Sequence, residues 1–91
     1  MRKQGVKNDK EMLASVHAGY DANPKAPPPS LLFSSPLWLA YHAGKAVSSM
    51  TRPVKASMSR GYSVRLEMGS GAEAIVRFTG KALDKVSVER L

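Results

Sequence analysis

Two histidines, His17 and His42, are the side chains in this 91-residue sequence best suited to chemistry near neutral pH, and each is followed by Ala-Gly. "SVHAGYDA" begins at Ser15 and "AYHAGKAV" at Ala40. A pair of imidazoles can ligate a metal, shuttle protons, or activate a serine hydroxyl. Each of these needs further groups. A zinc site takes three or four ligands at close spacing. Here the histidines lie 25 residues apart, cysteine is absent, and Asp21 is the acid near them. Serines 15, 30, 34, 35, 48 and 49 fall in no recognisable nucleophile motif, and no glycine-rich loop is placed to cradle a phosphate. The residues therefore predict no catalytic site, no metal and no cofactor, in a protein that is not an enzyme.

The glycines beside the histidines have a clearer use. Gly19 and Gly44, flanked by Ala18, Ala22, Ala40, Ala43 and Ala46, allow two helix backbones to approach closely. Glycine inside a helix costs about 1 kcal/mol relative to alanine. Finding one in each of two expected helices marks a crossing point, with His17 and His42 flanking it.

The elements that carry these residues follow from the period of the apolar positions. Residues 1–7, "MRKQGVK", read as a basic arm, without the apolar run of a signal peptide. Asn8 and Glu11 have capping-box spacing, and Asp9 and Glu11 suit the positive end of a helix dipole. Met12, Leu13, Val16, Gly19 and Tyr20 then form one apolar stripe, which predicts a helix over 9–22 stopped by Asn23-Pro24. "NPKAPPPS" is a stiff, extended connector. Ser35 offers a capping hydroxyl and Pro36 suits the first helical position. The recurrence of Leu37, Ala40, Tyr41, Gly44 and Val47 or Ser48 predicts a second helix from 36 to about 49, with Trp38, His42 and Lys45 on a neighbouring stripe. Leu31, Leu32 and Phe33 are expected to clasp its start.

Farther on, the period becomes 2. Tyr62, Val64, Leu66 and Met68 alternate with Ser63, Arg65 and Glu67; Ala72, Ala74, Val76 and Phe78 resume the alternation after Gly69-Ser70-Gly71. Gly80 to Asp84 turns the chain again, Val86 and Val88 carry another strand, and Val54, Ala56 and Met58 suggest one leading in. The fold class is α+β: two helices joined by a Pro-rich connector, followed by a three- or four-stranded antiparallel β-meander. The expected organisation is a single domain over 1–91, comprising the arm at 1–7, the helical pair at 8–50 and the meander at 51–91. So short a sheet leaves an edge and a face that invite a homodimer. Leu37 to Val47, the longest apolar-leaning stretch, is too short to span a bilayer. The expectation is a cytoplasmic protein without a membrane partner.

Charge points to a class of partner. Of the net +7, +6 falls in residues 1–60, and no acid occurs between Asp21 and Glu67. That stretch holds Lys25, Lys45, Arg52, Lys55, Arg60 and Arg65, the candidate nucleic-acid contacts, since cations gain by displacing counterions from phosphates. Tyr20, Trp38 and Tyr41 are candidates for stacking on bases or for an interface. Core packing is the competing role, because aromatics supply much of the burial in small domains. Trp38, offset from the Leu37/Tyr41/Gly44 stripe, is the one expected at a surface.

"AGYDA" at 18–22, the prolines at 27–29, "SSPLWLA" at 34–40 and "AGKA" at 43–46 resemble the ribosome modulation factor family over residues 12–48. The family is a short basic helix–loop–helix protein, and the segment from 54 onward has no counterpart in it. The resemblance implies binding to 16S rRNA of the small ribosomal subunit near the anti-Shine–Dalgarno region, hibernation of ribosomes, and no catalysis. It makes Gly19, Tyr20, Trp38 and Leu39 mainly architectural. The expected function is thus a small basic RNA- or ribosome-binding protein that modulates translation. The alternative is a phage or mobile-element protein that binds and inhibits a host protein complex, such as a defence or nucleic-acid-processing machine.

Overall fold

The computed structural model describes residues 9–23 and 25–91; the basic arm, the Asn8 cap and Pro24 lie outside them. Two helices, α1 (Asp9–Tyr20) and α2 (Pro36–Ala46), precede four strands, β1 (Pro53–Met58), β2 (Ser63–Met68), β3 (Glu73–Thr79) and β4 (Lys85–Arg90). The strands form one sheet in the order β1-β2-β3-β4, antiparallel throughout. This is the expected α+β arrangement with all four strands of the meander present.

Both helices end sooner than the apolar period suggests. α1 stops at Tyr20, where the Ala22 N–H turns to the Gly19 carbonyl at 3.2 Å and tightens the last turn. Asn23 Oδ1 then accepts the Lys25 N–H at 2.9 Å, a local side-chain turn that competes with helix. α2 begins as expected: Ser35 is extended, its Oγ accepts the Trp38 N–H at 3.2 Å, and Pro36 opens the first turn. It ends at Ala46 instead of near 49, and residues 47–50 form turns, the Met50 N–H reaching the Val47 carbonyl at 2.8 Å.

The helices cross at the two glycines. A Cβ on Gly19 would lie 1.8 Å from the Tyr41 carbonyl oxygen, and one on Gly44 would lie 2.0 Å from the Val16 carbonyl oxygen. Both obstacles are backbone, so no side-chain movement could relieve them.

The helix pair covers one face of the sheet. Ala56, Val64, Leu66, Met68, Val76 and Phe78 pack there against Met12, Val16, Leu39, Ala43 and Val47. Leu39 and Ala43 lie off the stripe read from the sequence because α2 is sandwiched, one side on α1 and the other on the sheet. Tyr62 and Ser63 reverse their expected roles. Tyr62 belongs to the β1–β2 turn and is exposed, while Ser63 is buried and its Oγ–H donates to the Arg60 carbonyl. Ala72 is exposed because it closes the β2–β3 turn, its carbonyl accepting the Met68 N–H at 2.8 Å. Of the clasp expected at 31–33, Leu31 is half-buried and Phe33, itself largely exposed, meets Trp38 edge-on. Ser34 has φ +66, and the Ser35 N–H bonds the Leu32 carbonyl at 3.0 Å, a turn that leaves Leu32 80% exposed.

Candidate nucleic-acid interface

The two histidines take unrelated partners. His17 Nε2 donates to the Pro53 carbonyl at 2.7 Å and so ties α1 to the start of β1. Nearby, Ser15 Oγ donates to the Leu37 carbonyl at 2.9 Å, bracing α1 against α2. His42 instead lies beside Trp38, ring centroids 4.4 Å apart, and edge-on to Tyr41. Burial among these rings pushes its pKa below the ordinary histidine value, and the charge of Lys45 adds to the effect. Among the described residues, no three His, Asp or Glu side chains gather as metal ligands, and no helix is long and apolar enough to cross a membrane.

The six candidate cations are spread over the molecule. Lys25 is exposed on the connector and Arg60 in the β1–β2 turn. Arg52 bonds Asp21 at 2.6 Å and lies over the Tyr20 ring, 5.6 Å from its centroid. That hydrogen bond holds the Asp21 carboxyl below the usual carboxylate range and raises the Arg52 guanidinium further. Lys55 and Arg65 are on the helix-free face of the sheet. There Arg65 pairs with Glu73, Arg77 pairs with Glu89, and Lys55 sits opposite Glu67 in the ladder. A face so nearly balanced in charge attracts phosphates weakly. Lys45 remains: it is exposed on α2, its ammonium 5.9 Å from the Tyr41 ring centroid, with no carboxylate partner among the described residues.

The aromatic candidates separate as well. Tyr41 is 5% exposed, so its ring is closed to a ligand. Tyr20 is half-buried and its hydroxyl donates to the Met50 carbonyl. Trp38, like Tyr20, is partly buried against the core, so its offset from the stripe does not set it apart as the surface aromatic. Phe33 meets it edge-on at 4.9 Å, His42 lies 4.4 Å away, and Phe78 stands 6.1 Å away.

Beside this row a cleft of about 370 Å³ opens between α2 and the β3–β4 turn. Trp38, His42, Lys45 and Ala46 form one wall; Phe78, Leu83, Asp84 and Val86 form the other. Leu83 reaches its place through a left-handed backbone, φ +52, in the turn opened by Gly80 at φ +91. Lys81 is exposed in the same turn. The sequence placed Trp38, His42 and Lys45 on one stripe of α2 and Phe33 just before it, but did not bring Phe78 and the β3–β4 turn to them, because no spacing rule links α2 to residues more than thirty positions on. Comparisons with protein-family models, with curated proteins and with solved structures found no match.

Proposed function

We propose that this is a small, non-enzymatic RNA-binding protein that seats an unstacked base in the cleft beside Trp38. The observation that supports this reading is the partly exposed row Phe33–Trp38–His42, bordered by Lys45 and opening into a cleft of about 370 Å³. Single-stranded RNA is read by splaying bases onto aromatic rings and bonding their edges. Trp38 supplies the ring, neutral His42 and the Asp84 carboxylate supply partners for a base edge, and Lys45 and Lys81 lie where a flanking phosphate would pass. The arm adds Arg2, Lys3 and Lys7, three of the seven net charges, as long-range attraction. Ribosomal RNA is the target to which the helix-pair resemblance points. Modulation of translation in the cytoplasm would follow from masking such a strand.

Trp38 is the sole tryptophan, so its emission reports on this site alone. Titration with a single-stranded RNA oligonucleotide at low salt should quench it. Lys45→Glu should weaken binding about tenfold, and affinity should fall linearly with salt on logarithmic axes. No quenching and no binding at about 50 mM salt, where phosphate contacts bind far more tightly than at about 200 mM, would refute the proposal.

A second reading, a protein that binds and inhibits a host protein complex, has one specific support. Ala46, Phe78, Leu83 and Val86 make much of the cleft apolar, which suits an aliphatic side chain of a partner. Capture of a defined complex from nuclease-treated lysate, lost with Trp38→Ala, would favour it over RNA.

A further inference from the structure

The two edges of the sheet are treated differently. β1 begins at Pro53, has an irregular register between Pro53 and Lys55, and has α1 packed along it, with His17 on its Pro53 carbonyl. Proline, bulges, covering elements and charged side chains are the usual protections of an edge strand. Of these β4 has only charges, Lys85, Glu89 and Arg90, and they are of mixed sign. Its six residues are all exposed, none is proline, and its register with β3 is continuous from Lys85 to Arg90. Val86 and Val88 on its helix-side face remain 45% and 38% exposed, because the helices pack on β1, β2 and β3.

Hydrogen-bond parity shows what the open edge offers. The Leu91 N–H bonds the Glu73 carbonyl, and Phe78 and Met68 N–H groups bond Tyr62 and Ala72 carbonyls across the β2–β3 ladder. Even-numbered residues of β3 therefore bond to β2, and odd-numbered ones bond to β4. In β4 the odd residues Lys85, Ser87 and Glu89 turn their amides inward to β3, leaving those of Val86, Val88 and Arg90 pointing outward.

We infer that the partner for this edge is β4 of a second copy of the chain, paired antiparallel about a two-fold axis at Ser87. In that register Val86 faces Val88 of the other copy as a hydrogen-bonded pair, and the same pair recurs across the axis. Lys85 faces Glu89 of the other copy, again twice, on the helix-free side where Glu89 already meets Arg77. One step beyond, Asp84 comes opposite Arg90. Centring the pairing on Val86 sets Lys85 against Ser87; centring it on Val88 sets Glu89 against Ser87 and Val86 against Arg90. Only the Ser87 register makes charge, apolar side chains and free amides complementary at once. Cross-strand pairs of these kinds are what stabilise a ladder. The product is a continuous eight-stranded sheet with both helix pairs on one side, and the four valines form the floor between them. The seam shares Asp84 and Val86 with the wall of the cleft beside Trp38, but the pairing itself rests on the β4 edge and not on the RNA-binding reading.

Sedimentation equilibrium of the full chain, from 5 to 500 µM, tests the assignment, with circular dichroism to verify folding. The expected result is a monomer–dimer equilibrium. Lys85→Glu and Glu89→Lys should each weaken dimerisation at least tenfold, and the double variant should restore it to within about threefold of the wild type, because the swapped pair attracts again. Val88→Pro removes an outward-facing N–H without touching the β3–β4 ladder, and it should abolish the dimer while leaving the fold intact. A monomer at every concentration would overturn the inference. A dimer indifferent to both single reversals, or one that the double variant fails to restore, would do so equally.

Discussion

Substituting Gly44 by alanine tests the helix crossing more sharply than any other single change. On an exposed helix the replacement would stabilise by about 1 kcal/mol, since alanine is the better helix former. Here the new Cβ would lie 2.0 Å from the Val16 carbonyl oxygen and 2.8 Å from the Tyr20 nitrogen, both backbone atoms. Ordinary contact begins near 3.4 Å, so the helix axes must separate by more than an ångström. That movement opens the core where Met12 and Val16 meet Leu39, Ala40 and Ala43. Overpacking typically costs 1–3 kcal/mol, and a backbone obstacle puts this site at about 3 or above after the propensity gain. In a domain of this size 1 kcal/mol shifts the midpoint by roughly 4–8 °C, so Gly44→Ala should lower it by about 12 °C or more. Thermal unfolding followed by circular dichroism at 222 nm measures it. Ala14→Gly, at an exposed position of α1, isolates propensity alone and should cost about 1 kcal/mol. Gly19→Ala should resemble Gly44→Ala, and the double variant should lose less than the sum, because one separation relieves both clashes. A Gly44→Ala protein as stable as the wild type would refute the close crossing.

Other expectations follow from single contacts. His17→Ala leaves the carbonyl of buried Pro53 without its donor and should cost about 1–2 kcal/mol, read as a shift in urea midpoint. His42 resists protonation in the folded state, whose pKa lies below the unfolded value near 6.5. Its contribution to stability is therefore present above pH 6.5 and declines as pH falls through that value toward the folded pKa. A proton-resonance titration should give a midpoint below 6.5, and a midpoint at or above it would contradict the packing against Trp38. The Arg52–Asp21 pair is exposed on both sides, so Asp21→Asn should leave the thermal midpoint essentially unchanged, and added salt should erase any remaining difference. A large drop in the midpoint of that variant would show the pair to be structural.

Much of this architecture is written locally. The Ser35-Pro36 start of α2, the Gly69-Ser70-Gly71 turn and the period-2 alternation from Val64 to Phe78 each depend on residues close in sequence, and each appears where the pattern places it. The Gly19–Gly44 crossing was legible for a related reason: a mid-helix glycine is unfavourable unless something fills the space a Cβ would take. Leu39 and Ala43 escaped because a helical stripe reports one packed side, and α2 has two. Tyr62 and Ser63 escaped because alternation does not reveal where a strand begins.

The amino-acid sequence by itself determined the elements, their order, the crossing glycines and the surplus of positive charge, since these are set by local stereochemistry and composition. Only the tertiary structure decided what the charge and the aromatic rings can do. It buried Tyr41, engaged Arg52 and Arg65 with carboxylates, and brought Phe78 and the β3–β4 turn to the Phe33–Trp38–His42 row beside one cleft. It also left β4 uncovered, because two short helices span three strands and not a fourth. Those outcomes depend on which surfaces are consumed by packing, and that is a property of the assembled chain rather than of any stretch of it.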